Sequence, residues 1–185
     1  MRIISGIHGG RSIKPPSKMP HTRPTTDIAK EGLFNILNNR ISFEQIKTLD
    51  LFGGTGCISY ELASRGAGAL TIVEKDSVMQ QFIKQNMEML KIDQAQVLRM
   101  DVFQFIGSCQ EQFDFIFAGP PYALGTIDEL PRLIVRRGLI APKGYFVLEH
   151  TPRNNYESFE GFSFQRNYGS TVFSFFEAIQ PGPVN

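Results

Sequence analysis

Between residues 46 and 149 short apolar runs alternate with amphipathic segments, and few folds accept that order. A strand that is apolar along its whole length needs cover on both faces, and its parallel neighbour is reached only through a crossover, usually a helix. Strands are expected at about 46–51, 69–74, 95–100, 113–118 and 144–149, with helices at 56–65, 77–90, 102–109 and 126–137. That pattern predicts an α/β fold built on a parallel sheet covered by helices. The ending differs: Phe162–Tyr168 and Thr171–Ile179 are β-rich runs joined at Gly169-Ser170, which predicts an antiparallel hairpin on the sheet's edge. Ahead of the sheet, Thr26 or Asp27 can cap a helix carrying Ile28, Leu33, Phe34, Ile36 and Leu37, which closes near Asn38-Asn39 with Lys30 and Arg40 facing outward.

At 185 residues, with 42% apolar and 20% charged side chains, the chain is sized for one soluble domain. No stretch approaches the ~18 apolar residues of a membrane span, and the opening Met1-Arg-Ile-Ile-Ser-Gly6 has no signal-peptide core, so no membrane partner and a cytoplasmic location are expected. Cys57 and Cys109 have no metal-ligand spacing; both read as reduced thiols, Cys57 as small packing, and no metal is expected. Residues 1–40 carry seven Lys/Arg against two Asp/Glu, whereas the remainder carries 12 against 16. A basic arm ahead of an acidic body suits an anionic partner met at the N-terminus, or a solvated flexible arm. Gly6, Gly9, Gly10, Pro15, Pro16, Pro20 and Pro24 forbid a long helix there. The organisation expected is a basic arm with the first helix over 1–40, packed on a core over 41–179, and a tail over 180–185.

Leu49-Asp-Leu-Phe-Gly-Gly-Thr-Gly56 follows the first core strand and opens a helix, where an open α/β sheet presents its ligand crevice. About 20 residues on, Glu74 ends the second strand, where a carboxylate can accept both hydroxyls of a ribose. Asp101 ends the third strand and can accept from the exocyclic amine of adenine. Asp50 would be an awkward neighbour for a pyrophosphate but suits an ammonium group. An amine, a ribose diol and an adenine without phosphate are the inventory of S-adenosylmethionine (SAM). A dinucleotide and a purely structural loop are the competing readings, because Gly54-Thr-Gly-Cys-Ile-Ser59 nearly fits G-x-G-x-x-G/A, Asp50 and Asp101 can cap helices, and Glu74 can belong to a solvated charge cluster. The candidate cofactor residues are Asp50, Phe52, Gly54, Gly56, Glu74, Lys75, Asp101 and Val102.

Read in order, DLFGGTG, VEK and PPY resemble the class I SAM-dependent methyltransferases, and Pro120-Pro121-Tyr122 resembles the [Asp/Asn]-Pro-Pro-[Tyr/Phe] signature of enzymes that methylate exocyclic amines of bases. The start MRIISG, Arg11 after Gly9-Gly10, Thr22-Arg-Pro-Thr25 before a helix ending Leu33-Phe-Asn-Ile-Leu37, Cys57-Ile-Ser-Tyr-Glu-Leu-Ala-Ser-Arg-Gly66 and Tyr168-Gly-Ser-Thr171 are similar to the bacterial RsmD family of small-subunit ribosomal RNA guanine-N2 methyltransferases. The resemblance spans residues 1 to about 179. It implies a Rossmann-like, mostly parallel seven-stranded sheet with helices on both faces and a C-terminal antiparallel hairpin. It further implies a ribosomal RNA or small-subunit assembly as partner, Thr22 to Thr25 near the cofactor's methionine end or the target base, and Arg2, Arg11, Lys14, Lys18 and Arg23 facing RNA. Edge-strand cover is the other role open to the arm.

The exocyclic amine of guanine is a poor nucleophile because its lone pair is delocalised into the ring. In the family's motif the Asp or Asn side chain and the first proline's carbonyl accept hydrogen bonds from that amine, the prolines hold the carbonyl still, and the aromatic ring stacks on the base. The catalytic candidates are therefore Gly119, Pro120, Pro121 and Tyr122, with Gly119 where the motif has Asp or Asn. One acceptor is missing. A charge-assisted hydrogen bond contributes ~1.5–3 kcal/mol, so its loss from the transition state would slow transfer roughly 10- to 150-fold. Either another carboxylate substitutes, Asp128 being the nearest downstream, or the enzyme is slow, or the chain is an inert SAM- and RNA-binding relative. Methylation of DNA amines is a further alternative, since PPY does not distinguish the bases.

Overall fold

The computed structural model describes residues 1–17, 19 and 25–179. The five apolar runs form β1 (Lys47–Leu51), β2 (Ala69–Glu74), β3 (Ala95–Arg99), β4 (Phe113–Ala118) and β5 (Ile140–His150), and the C-terminal runs form β6 (Phe162–Tyr168) and β7 (Thr171–Glu177). They build one seven-stranded sheet of order β3-β2-β1-β4-β5-β7-β6. β1 to β5 are parallel, and β7 runs antiparallel to both β5 and β6. The helices are α1 (Asp27–Asn38), α2 (Cys57–Ser64), α3 (Ser77–Met89), α4 (Val102–Ser108) and α5 (Glu129–Arg136). Strand order reverses between β1 and β4, so a crevice opens at their C-terminal ends.

Alternation along the strands divides the core in two. Phe115 and Phe117 of β4 and Val147 of β5 pack with Leu33 and Phe34 of α1, Ile58 and Leu62 of α2, and Ile83 of α3. Ile116, Phe146 and Leu148 point the other way, against Val102 and Ile106 of α4 and Leu130 and Ile134 of α5. The α1–α2 face is also where β1 turns Asp50 and β5 turns Glu149, one residue out of phase with the α4–α5 face.

Several details depart from the sequence-based expectations. Lys30 does not face outward: it is 1% exposed, its Nζ donates to the Arg2 carbonyl at 2.5 Å and lies 3.9 Å from Glu61 Oε2. Arg40 is exposed, with its guanidinium 4.2 Å from the Phe164 ring centroid. α5 starts at Glu129 rather than 126, because 123–128 turn through Leu124 N–H to the Pro121 carbonyl and Ile127 N–H to the Leu124 carbonyl before the helix can form. β5 begins at Ile140, four residues early, and the register shift between Phe113 and Phe115 absorbs the extra residues. β7 stops at Glu177.

The N-terminal segment forms a tight double-back, with an isolated bridge between Arg2 and Ser12 and with Ile3 and Ile13 buried. It docks on the last turns of α2: Ile4 and Ser5 donate their N–H groups to Glu61 at 2.7 and 3.0 Å, and Ile7 donates to the Ser64 carbonyl at 2.8 Å. Gly6 is required by this contact, since a Cβ there would sit 1.8 Å from the Ser64 carbonyl oxygen. Among the described residues no helix is long and apolar enough to cross a membrane.

Candidate active site

The crevice at the strand ends holds a cavity of 760 Å³. Its floor is the β1–α2 loop. Phe52 adopts φ 64°, uncommon for a side chain of its size, and Gly56, with φ 78°, opens α2 where a Cβ would meet the Tyr60 ring at 2.7 Å. The loop is latched by Glu74, whose Oε2 accepts the Gly54 N–H at 2.8 Å and whose Oε1 accepts the Asp76 N–H at 2.7 Å. Glu74 is thus no member of a loose charge cluster. Burial raises its pKa.

Asp50 lies at the bottom of the same cavity, 3% exposed, and accepts the Ser59 hydroxyl at 2.6 Å. It does not cap α2. Burial, reinforced by the Glu74 charge, pushes its pKa up to about 7 against the Ser59 hydrogen bond. Burial also pushes the Cys57 thiol up to about 11, in keeping with a packing role. Asp101 does cap its helix: Oδ1 accepts from Phe103 N–H at 3.0 Å and Gln104 N–H at 3.4 Å, while Oδ2 faces Lys75 Nζ at 3.3 Å. Lys75, Asp101 and buried Val102 line the cavity beside Glu74.

At the other wall stand Gly119, Pro120, Pro121 and Tyr122. The Gly119 N–H donates to the Leu51 carbonyl at 3.3 Å, which ties the turn to β1. Here the structure contributes a group that sequence reasoning missed. Glu149, the last carboxylate of β5 and 5% exposed, lines the cavity; it accepts the Thr25 hydroxyl at 2.5 Å and the Tyr122 hydroxyl at 3.2 Å. Its signal was an apolar strand ending in an acid, Tyr145-Phe-Val-Leu-Glu149, the same pattern that marked Glu74. Thr171, at the start of β7, adds its hydroxyl 3.3 Å from that of Tyr122. Asp128, expected as the substitute acid, is outside the cavity lining and accepts the Tyr156 hydroxyl at 2.8 Å.

Of the arm residues, Thr25 lines the cavity, whereas Arg2, Arg11 and Lys14 are exposed and outside it. Lys18, Thr22 and Arg23 lie outside the described residues.

The family model described as conserved hypothetical protein 95 matches residues 1–177. Ribosomal RNA small subunit methyltransferase D of Escherichia coli K12 is 32% identical over 154 residues, covering 83% of this chain and 76% of that protein. The Haemophilus influenzae protein of the same name is 32% identical over 153 residues, covering 80% and 78%. A hypothetical protein of solved structure from Thermus thermophilus superposes with a TM-score of 0.83 at 28% identity, over 96% of this chain and 99% of that one. With its mostly parallel sheet and closing antiparallel hairpin, the chain belongs to the conserved hypothetical protein 95 family, the RsmD family of class I methyltransferases.

Proposed function

We propose that this protein transfers a methyl group from SAM to the exocyclic N2 amine of a guanine in small-subunit ribosomal RNA. The observation that carries the reading is a single cavity in which buried Asp50 of β1 and half-buried Glu74 of β2 face a Pro-Pro-Tyr wall. The donor set suits SAM: Asp50 would hold the ammonium, Glu74 the ribose diol, and Asp101 with Val102 the adenine, while Phe52, Gly54 and Gly56 bring backbone close and Lys75 flanks the rim. A pyrophosphate would meet the Asp50 charge instead. Bound SAM supplies an electrophilic methyl on a sulfonium: the amine's lone pair forms the new C–N bond, the S–C electrons stay on sulfur, and one amine proton is released. The Pro120 carbonyl accepts one amine N–H and turns the lone pair toward the methyl, and the Tyr122 ring stacks on the extruded base. Thr25 lies beside the base, and Arg2, Arg11, Lys14 and Arg23 meet RNA phosphates. The relatives' names support ribosomal RNA as the substrate class.

The test is incorporation of labelled methyl into ribosomal RNA or small subunits from a strain lacking its own enzyme, followed by digestion to nucleosides. Label in N2-methylguanosine is expected. SAM binding without label in either substrate would leave an inert SAM- and RNA-binding protein, the outcome Gly119 would favour; label in DNA would reassign the substrate.

Two substitutions should separate the walls of the cavity. Glu74→Ala removes the latch on Gly54 and the diol acceptor, and should weaken SAM binding by about 1.5–3 kcal/mol, measured calorimetrically. Tyr122→Ala should leave SAM affinity near the parent's while weakening RNA engagement by about 1–3 kcal/mol. Equal SAM affinity in the Glu74 variant and the parent would remove Glu74 from the cofactor site.

A further inference from the structure

The chain carries glycine where an amine-methylating site places an acid, and the neighbouring strand ends in an acid at the same spot. β4 and β5 pair with Phe117 opposite Val147 and Ala118 opposite Leu148, so the next step brings Gly119 beside Glu149. A Cβ built on Gly119 would lie 3.7 Å from Glu149 Oε2 and 3.0 Å from Phe117 Cε1. An aspartate there would direct its carboxyl into the space beside the Glu149 carboxylate. Period-two alternation makes this geometry: Phe117, Gly119, Val147 and Glu149 all belong to the α1–α2 face, as Asp50 does.

Resting on the methyl-transfer reading above, we propose that Glu149 is a catalytic residue and supplies the acceptor that Gly119 lacks. Its carboxylate accepts one N–H of the target amine, the Pro120 carbonyl accepts the other, and the proton released as the C–N bond forms passes to the Glu149 carboxylate. A carboxylate has about four acceptor sites, and the Thr25 and Tyr122 hydroxyls are two of the donors that reach this one. Those two donors fix its rotamer, one from the arm and one from the motif, so the acid is held by the elements that hold the base. The glycine then has a physical reason: with Phe117 this close, position 119 has little room for a side chain while Glu149 fills the place beyond it.

The experiment is a double-mutant cycle between 119 and 149, read by single-turnover transfer to undermethylated small subunits, with SAM affinity measured in parallel. Glu149→Gln keeps the shape but not the charge, and Glu149→Ala removes both. Each should slow transfer, the alanine by about 10- to 150-fold, with SAM affinity at the parent's value. Gly119→Asp should lower the rate in the parent, where it sets a second carboxylate against the first and crowds Phe117, yet raise it on the Glu149→Gln background. That reversal of sign is what a residue merely packing Thr25 and Tyr122 would not produce. Transfer by Glu149→Gln at the parent's rate, Gly119→Asp acting with the same sign on both backgrounds, or loss of SAM affinity in the Gln variant would each overturn the assignment. A parent that binds SAM but labels nothing would overturn the methyl-transfer reading itself.

Discussion

Replacing Glu61 by alanine is expected to lower the unfolding free energy by about 3–5 kcal/mol, a loss seen as a fall in the urea midpoint. Glu61 is 0% exposed on α2, and four residues converge on it. The Ile4 and Ser5 N–H groups reach its two oxygens, Arg65 Nε and one terminal nitrogen both lie 2.9 Å from Oε1, and Lys30 Nζ stands 3.9 Å from Oε2. Alanine would leave two amides without acceptors and the buried Lys30 cation without its nearest buried counter-charge, a larger penalty than the pair's net contribution. It would also free the N-terminal double-back, so amide exchange at Ile4 and Ser5 should accelerate. Lys30→Met on the alanine background should recover part of the loss by removing the orphaned charge. A decrease below about 1 kcal/mol, the scale of a surface pair, would mean that water already reaches this cluster.

The same cluster shows where sequence reading stops. Helical spacing located α1 and left its cap to Thr26 or Asp27; the structure assigns Thr26, whose side chain accepts the Ala29 N–H at 3.2 Å. It also put Lys30 on the outer face, because nothing in the local pattern reveals that a segment from residues 1–13 comes back to cover that side. Strand-to-helix alternation was legible because burial on two faces leaves a continuous apolar run, and all five parallel strands lie where those runs do. The ends were less legible. α5 starts late and β5 early because turn hydrogen bonds and a register shift set those limits. At the candidate site, the glycine loop, Glu74 and Pro-Pro-Tyr122 have sequence signatures, since each is a chemical demand met within one short segment. Glu149 shares the strand-end pattern of Glu74 but has no motif beside it, and Thr171 has neither: they join the site through pairing of β5 with β4 and β7. Asp128 illustrates the converse, an acid close in sequence to the motif that sheet geometry turns toward Tyr156.

SAM affinity is expected to depend on pH through Asp50, flat above about 7 and falling about tenfold per unit below it. Burial holds the Asp50 pKa at about 7, so in neutral solution the group is poised between a proton and the ammonium it is proposed to hold. Below that value the ammonium must displace the proton, and each unit of pH adds one tenfold factor. The ligand-free fold carries the opposite signature. Because the folded-state pKa is raised above the ordinary 3.8, the folded chain keeps a proton that the unfolded chain has lost, and stability declines as pH rises from about 4 to about 7. The full span corresponds to roughly 4 kcal/mol, present below the unfolded pKa and lost above the folded one. Asp50→Asn should remove both dependences together: at pH 8 the variant should melt higher than the parent while binding SAM less tightly, and at pH 4 the two should melt alike. Melting curves for parent and variant that run parallel from pH 4 to 8 would show that the Asp50 charge is already solvated in the open cavity. A SAM affinity with the same pH slope in both proteins would move the ammonium to another acid.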